Sequence, residues 1–222
     1  WSGFYALDID HQEVQAYLKN VFHRVREDWG FDLVKLDFLY AAAPFGSERE
    51  ARAARMARAM ALLRQWCGDK LILGCGVPLM PCFGVVDYCR IGCDVSLSWD
   101  DKWFMRLLHR ERVSTRQSID NTVFRRQLNG RAFGNDPDVF LLREENCQLT
   151  PEEKDKLSTA NALFGNILLC SDNPANYSPE TMAKFARVQR IFAQAEKAEV
   201  QADGGIQLTY LLDDKEEKQV IR

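Results

Sequence analysis

The residues best able to do chemistry stand in two short stretches, Lys35-Leu36-Asp37-Phe38-Leu39-Tyr40 and Arg90-Ile91-Gly92-Cys93-Asp94. Each closes an apolar, β-rich run with a carboxylate and carries a cation shortly before it. Two carboxylates facing one pocket suit glycoside hydrolysis, in which one attacks or stabilises the anomeric carbon and the other carries the proton. Lys35 falls on the same side of its strand as Asp37 and favours an ionised, nucleophilic carboxylate there. Asp94 lies among Ile91, Cys93 and Val95, where partial desolvation suits an acid that keeps its proton until it is needed. Arg90 is placed to tether a substrate hydroxyl or Asp94 itself. Taken alone, two such aspartates are weak evidence, since strand-end aspartates more often serve as caps or structural ion pairs.

The elements that would position them alternate between apolar strands and amphipathic helices, the pattern of a parallel sheet with helical crossovers. A short strand over 4–8 is followed by a helix whose apolar residues Val14, Tyr17, Leu18, Val21, Phe22, Val25 and Trp29 repeat at steps of three and four. Strands are predicted over 32–38, 71–75, 87–91, 138–142 and 166–170. Helices are predicted over 47–66, over 102–128 in two pieces broken near Val113-Ser114, over 150–164 and from Ser178 onward. Thr150-Pro151-Glu152-Glu153 supplies an N-cap, a proline at the first helical position and a capping-box glutamate. Past Gly204-Gly205, two strands over 206–211 and 219–221 open a β domain. Six βα units are two short of a closed eight-stranded barrel. The organisation expected is thus residues 1–199 as part of a (β/α)8 TIM barrel, about strands 3 to 8, and 200–222 as the beginning of a β domain.

Composition excludes several other classes. A formal net charge of −3 over 222 residues gives no global attraction to nucleic acid or anionic lipid. The richest basic run, from Arg106 to Arg116, reads as a solvated helix face. No apolar run is long enough to cross a bilayer. Seven cysteines in apolar or glycine-rich surroundings suggest buried thiols and a reducing compartment, the cytoplasm. They form no CxxC pair and lie away from the three histidines, so neither a metal nor a cofactor is expected.

In chain order, Lys-x-Asp-x-x-Tyr at 35–40, Arg-x-x-x-Asp at 90–94, Asn135-Asp136-Pro137-Asp138 and Leu169-Cys170-Ser171-Asp172 resemble the motifs of melibiase-type retaining α-galactosidases, with glycoside hydrolase family 36 the nearest match. Leu7 to Val14 also resembles that family's third-strand-to-helix turn. The resemblance covers roughly residues 5 to 195. It implies Asp37 as nucleophile, Asp94 as acid/base, Lys35 and Arg90 as sugar contacts, and an α-galactoside oligosaccharide as substrate. It places Cys75 where the family often has a substrate contact, although a small buried thiol fits equally well. Asp136 and Asp138 are expected to orient loop backbone or Arg90, or to cap a strand entrance. Trp99 is expected to wall the sugar or to sit in the core. Leu39 stands where the family often has Asn or Cys, and the aspartates of the family's second strand have no counterpart here. The same scaffold supports α-N-acetylgalactosaminidases and galactosyl transfer, and an inactive sugar-binding or scaffolding fragment is the alternative of a different class. Unpaired strand edges predict a homo-oligomer or further chain.

Overall fold

A computed structural model describes residues 5–44, 50–107, 112–202 and 205–221. The chain divides into two compact units, Trp1–Arg90 with Gly130–Gly134, and Ile91–Asn129 with Asn135–Arg222.

The first unit begins with helix α1 (Gln12–His23), which widens into a π turn over Arg24–Asp28. Strand β1 (Leu33–Leu36), helix α2 (Arg52–Cys67), strand β2 (Leu71–Gly74) and strand β3 (Tyr88–Arg90) follow. The strands are parallel, with Leu36 opposite Gly74 and Gly74 opposite Cys89. Met56, Met60 and Trp66 bury the apolar stripe of α2, near Ile72 and Leu73 of β2 in the core. Its arginines work on the other faces. Arg64 binds Asp87 at 2.5 Å and the Val85 carbonyl at 2.7 Å, while Asp87 also accepts the Ile72 amide at 2.8 Å. One carboxylate thereby joins α2, β2 and the entrance to β3.

Two expectations change here. Residues 5–8 are irregular rather than a strand, and Phe4 lies outside the described residues. A strand is stabilised by its ladder, and among the described residues nothing pairs with the outer edge of β1. The apolar face of α1 exists as its periodicity predicts, but only Phe22 is buried, whereas Tyr17, Val21 and Trp29 stay exposed.

The second unit contains α3 (Trp103–Leu107), α4 (Thr115–Phe124), most of β4 (Gly134–Asp136), β5 (Val139–Phe140), α5 (Pro151–Phe164), β6 (Leu169–Cys170) and α6 (Pro179–Gln194). Strands β5 and β6 pair in parallel. Ser114 caps α4 through the Gln117 amide, and Thr150 and Glu153 close the capping box of α5. Of the basic run, residues 108–111 lie outside the described residues; Arg112 pairs with Asp101, and Arg116 with Asp100 at 2.6 Å.

The chain then forms an antiparallel sheet of β7 (Glu196–Gln201), β8 (Gln207–Leu212) and β9 (Lys215–Val220). Alternate residues Leu208, Tyr210 and Leu212 face the core shared by Phe140, Leu157 and Ile191. Strand β7 is unexpected from sequence, because Glu-Lys-Ala-Glu-Val-Gln carries three charges in six residues and acquires its ladder from β8.

Candidate active site

In the first unit, four of the expected site residues meet at the C-terminal ends of neighbouring strands. Lys35 lies on β1 and Asp37 just beyond it, Cys75 follows β2, and Arg90 closes β3. The ladder continues past the strands, since the Cys75 amide donates to the Leu36 carbonyl at 2.8 Å. The Cys75 thiol is buried, and desolvation pushes its pKa up to about 12. The Arg90 guanidinium opposes that rise. A hydrogen bond to Asp37 and the charge of Asp37 add to it, and Lys35 opposes it again. The thiol therefore keeps its proton beside the Asp37 carboxylate.

The backbone holds Asp37 as well. Phe38 adopts a left-handed φ of 54°, unusual for a bulky residue, and its amide donates to Asp37 Oδ1 at 2.7 Å. Opposite stands Gly76, with φ 57°. A Cβ there would lie 3.1 Å from the Phe38 nitrogen and 3.3 Å from Asp37 Oδ1. The Tyr40 amide donates to the Gly76 carbonyl at 2.7 Å, locking the two turns together. Lys35 and Asp37 also border a 410 Å³ groove whose walls include Phe22 and Trp66.

Asp94 belongs to the second unit, on the loop after β3, with an exposed side chain. Its loop is fastened at successive points. Cys93 Sγ reaches the Ser114 carbonyl at 3.4 Å, and the Ser114 amide donates to the Asp94 carbonyl at 3.2 Å. The Val95 amide donates to Asp138 Oδ2 at 2.7 Å. The Ser96 amide and carbonyl both bind the Thr115 hydroxyl, at 3.2 and 2.8 Å. Asp138, at φ 77°, donates its own amide to Asp136 Oδ1 at 2.8 Å. Both aspartates are buried, and Asp138 orients the loop backbone beside Asp94. Burial would raise the pKa of Asp100, but bonds from the Asp101 amide and the Ser114 hydroxyl, with the charge of Arg116, hold it below the usual carboxylate range. Trp99 is half-buried against the apolar core, as a structural tryptophan is.

Several contributors have little sequence signal: Phe38 and Gly76 through backbone angle, Ser114 and Thr115 through loop bonds. Asp172 is another. Its carboxylate accepts the Leu142 and Arg143 amides at 2.5 and 2.9 Å and the Tyr177 hydroxyl at 2.6 Å. Its sequence signal is the Leu169-Cys170-Ser171-Asp172 motif that runs on from β6, which gave it no role of its own. Among the described residues, no group of three or more His, Cys, Asp or Glu is placed to hold a metal, and no helix is long and apolar enough to cross a membrane.

No family model matches the chain. Solved structures do. TtGalA, an α-galactosidase from Thermus thermophilus in complex with p-nitrophenyl α-D-galactopyranoside, superposes over 96% of this chain with a TM-score of 0.76 and 29% identity. The same enzyme in complex with stachyose gives 33% identity and a TM-score of 0.73 over 83% of the chain. α-Galactosidase I from Mortierella vinacea, 19% identical with a TM-score of 0.62, shares the fold. The chain spans 42% and 39% of the length of the two Thermus structures. These three structures are of α-galactosidases, in keeping with the melibiase-type motifs of the sequence.

Proposed function

We propose that the chain is a portion of a retaining α-galactosidase similar to glycoside hydrolase family 36, comprising about strands 3 to 8 of its (β/α)8 barrel and carrying both catalytic carboxylates. Residues 1–199 would form the barrel portion and 200–222 the opening of a β domain, with β7 crossing between them. The observation that carries this reading is the meeting of Lys35, Asp37 and Arg90 around the Cys75 thiol at strand ends, where parallel-barrel enzymes hold their chemistry.

In the proposed reaction, Asp37 attacks C1 of a terminal α-galactoside as the bond from C1 to the leaving oxygen breaks. Asp94 gives its proton to that oxygen. Asp94 then takes a proton from water, whose oxygen attacks C1 and displaces Asp37, so that two inversions give net retention. Lys35 and Arg90 hold sugar hydroxyls, and Cys75 borders the sugar while holding Asp37. Asp136 and Asp138 position the Asp94 loop. Seven free thiols favour a reducing compartment such as the cytoplasm.

Turnover of p-nitrophenyl α-galactoside tests the assignment. Asp37→Ala should lower kcat at least about a thousandfold. Asp94→Ala should cost about a hundredfold or more on stachyose and less on the nitrophenyl substrate, whose leaving group needs little protonation. Retained turnover in Asp37→Ala would remove Asp37 from the mechanism. Binding of galactosides with no turnover by the unsubstituted chain would favour a sugar-binding role instead.

A further inference from the structure

A cavity of about 460 Å³ opens in the second unit between α5 and α6, beside the loop that leads from β5 into α5. That volume suits a small molecule, for which pockets run from roughly 300 to 1,000 Å³. Its lining differs between depth and rim. Leu142, Leu149, Val188, Lys154 and Ser158 are buried, whereas Glu144, Asp155 and Lys184 are exposed. The deep wall is thus three aliphatic side chains, one hydroxyl and one ammonium. The hydroxyl is already used, since Ser158 donates to the Asp155 carbonyl at 3.2 Å.

Lys154 is the exceptional member. Only 8% of it is exposed, and among the described residues no group hydrogen-bonds or pairs with its ammonium. Its neighbours behave otherwise: Lys156 pairs with Glu152 and Lys184 with Glu180, each at 2.8 Å, and Arg187 pairs with Glu217 and bonds the Tyr210 hydroxyl. A lysine is almost never so buried without a counter-charge, because the charged form loses hydration that nothing returns. The ammonium is not walled in, for the partnerless side-chain atoms sealed from solvent do not include Lys154 Nζ. The open space that Lys154 borders is this cavity.

The surroundings select the occupant. A single buried cation calls for a single anionic group, and neither Glu144 nor Asp155 supplies it, since both stay in water at the rim and no ion pair joins either to Lys154. Water can hydrate the ammonium, but the aliphatic walls offer that water no further partners. The same walls suit a hydrocarbon or aromatic body. A sugar would set its hydroxyls against them, and a small inorganic anion would leave them uncovered.

We infer that this cavity binds a small organic carboxylate with an apolar body, its anionic group on Lys154 and its body against Leu142, Leu149 and Val188. The inference is independent of the hydrolase reading, since none of these residues belongs to the reaction assigned to Asp37 and Asp94.

Hydrocinnamate is the probe, and hydrocinnamyl alcohol is its neutral counterpart with the same apolar body. Calorimetric titration of the full chain at matched ionic strength should show saturable binding of the carboxylate, at least about tenfold tighter than that of the alcohol, the scale of one hydrogen bond to a charged group. Lys154→Met keeps an unbranched side chain of good helical preference. It should bring the carboxylate to within about twofold of the alcohol and leave the alcohol's own affinity unchanged. Absence of saturable binding, equal affinity for carboxylate and alcohol, or a carboxylate preference that survives Lys154→Met would overturn the site. Should the variant fail to fold, the comparison of carboxylate with alcohol on the unsubstituted chain still decides.

Discussion

Burial keeps the proton on Cys75, so that a competing nucleophile beside Asp37 is avoided. The pH dependence follows. The Cys75 pKa rises from 9.0 to about 12 and that of Cys67 from 9.0 to about 11, both first by burial. A folded-state pKa above the unfolded one contributes stability that is complete below pH 9 and is lost as pH climbs through the folded values. The urea midpoint should therefore hold from neutrality to pH 9 and fall beyond it, and Cys67→Ala with Cys75→Ala should flatten that fall. Cys75→Ala alone should lower kcat about tenfold, the scale of one hydrogen bond to a charged group, with Cys75→Ser recovering most of it. The strand-end positions of Lys35, Asp37 and Arg90 could be read from the sequence because acid and base types recur there at telling intervals; Asp94 falls instead on the loop after β3. The bond between Cys75 and Asp37 could not, since its partners are 38 positions apart. Nor could the backbone of Phe38, because phenylalanine carries no signal for a positive φ.

The turn that carries Asp37 is two turns interlocked, and Gly76 is where they touch. Gly76→Ala brings a methyl group against the Phe38 backbone at a φ that disfavours any side chain. It should cost about 1 kcal/mol or more in stability and lower kcat further than that loss explains, measurable by denaturation and steady-state kinetics on the same preparation. The Asp94 loop depends on Asp138 in a similar way. Asp138→Ala frees the Val95 amide and should reduce kcat about tenfold or more with little change in KM, as expected when a reacting group is misplaced rather than a ligand lost. In α5, Leu157 is fully buried, and Leu157→Ala should cost about 2 to 5 kcal/mol without altering the activity of the molecules that remain folded. This helix was legible from its capping residues and those of α2 and α6 from their periodicity. The parallel strands came out shorter than their apolar runs, because a run marks burial while a strand ends where its ladder does, whereas β9 begins four residues before the predicted 219–221 by pairing with β8. Strand β7 had no apolar run to announce it, and only Ala198 and Val200 alternating with polar neighbours.

At the scale of the whole molecule, the α/β alternation was legible because each apolar run meets its own helix. What covers α1 and β1 was not, since periodicity says that a face is apolar and is silent about its partner. Tyr17, Trp29, Phe31 and Leu33 remain exposed there, and exposed apolar side chains favour association. Sedimentation of the purified chain should accordingly show mass rising with concentration, and Leu33→Lys should suppress it by placing a charge on the open edge. That edge has a practical side. A four-residue strand whose outward edge has no ladder partner among the described residues is a socket for β-augmentation. A short synthetic peptide of alternating apolar residues, offered in trans, should seat against Leu33–Leu36, raise the melting temperature in proportion to its occupancy, and give a means of dosing order into the very strand that leads to Asp37.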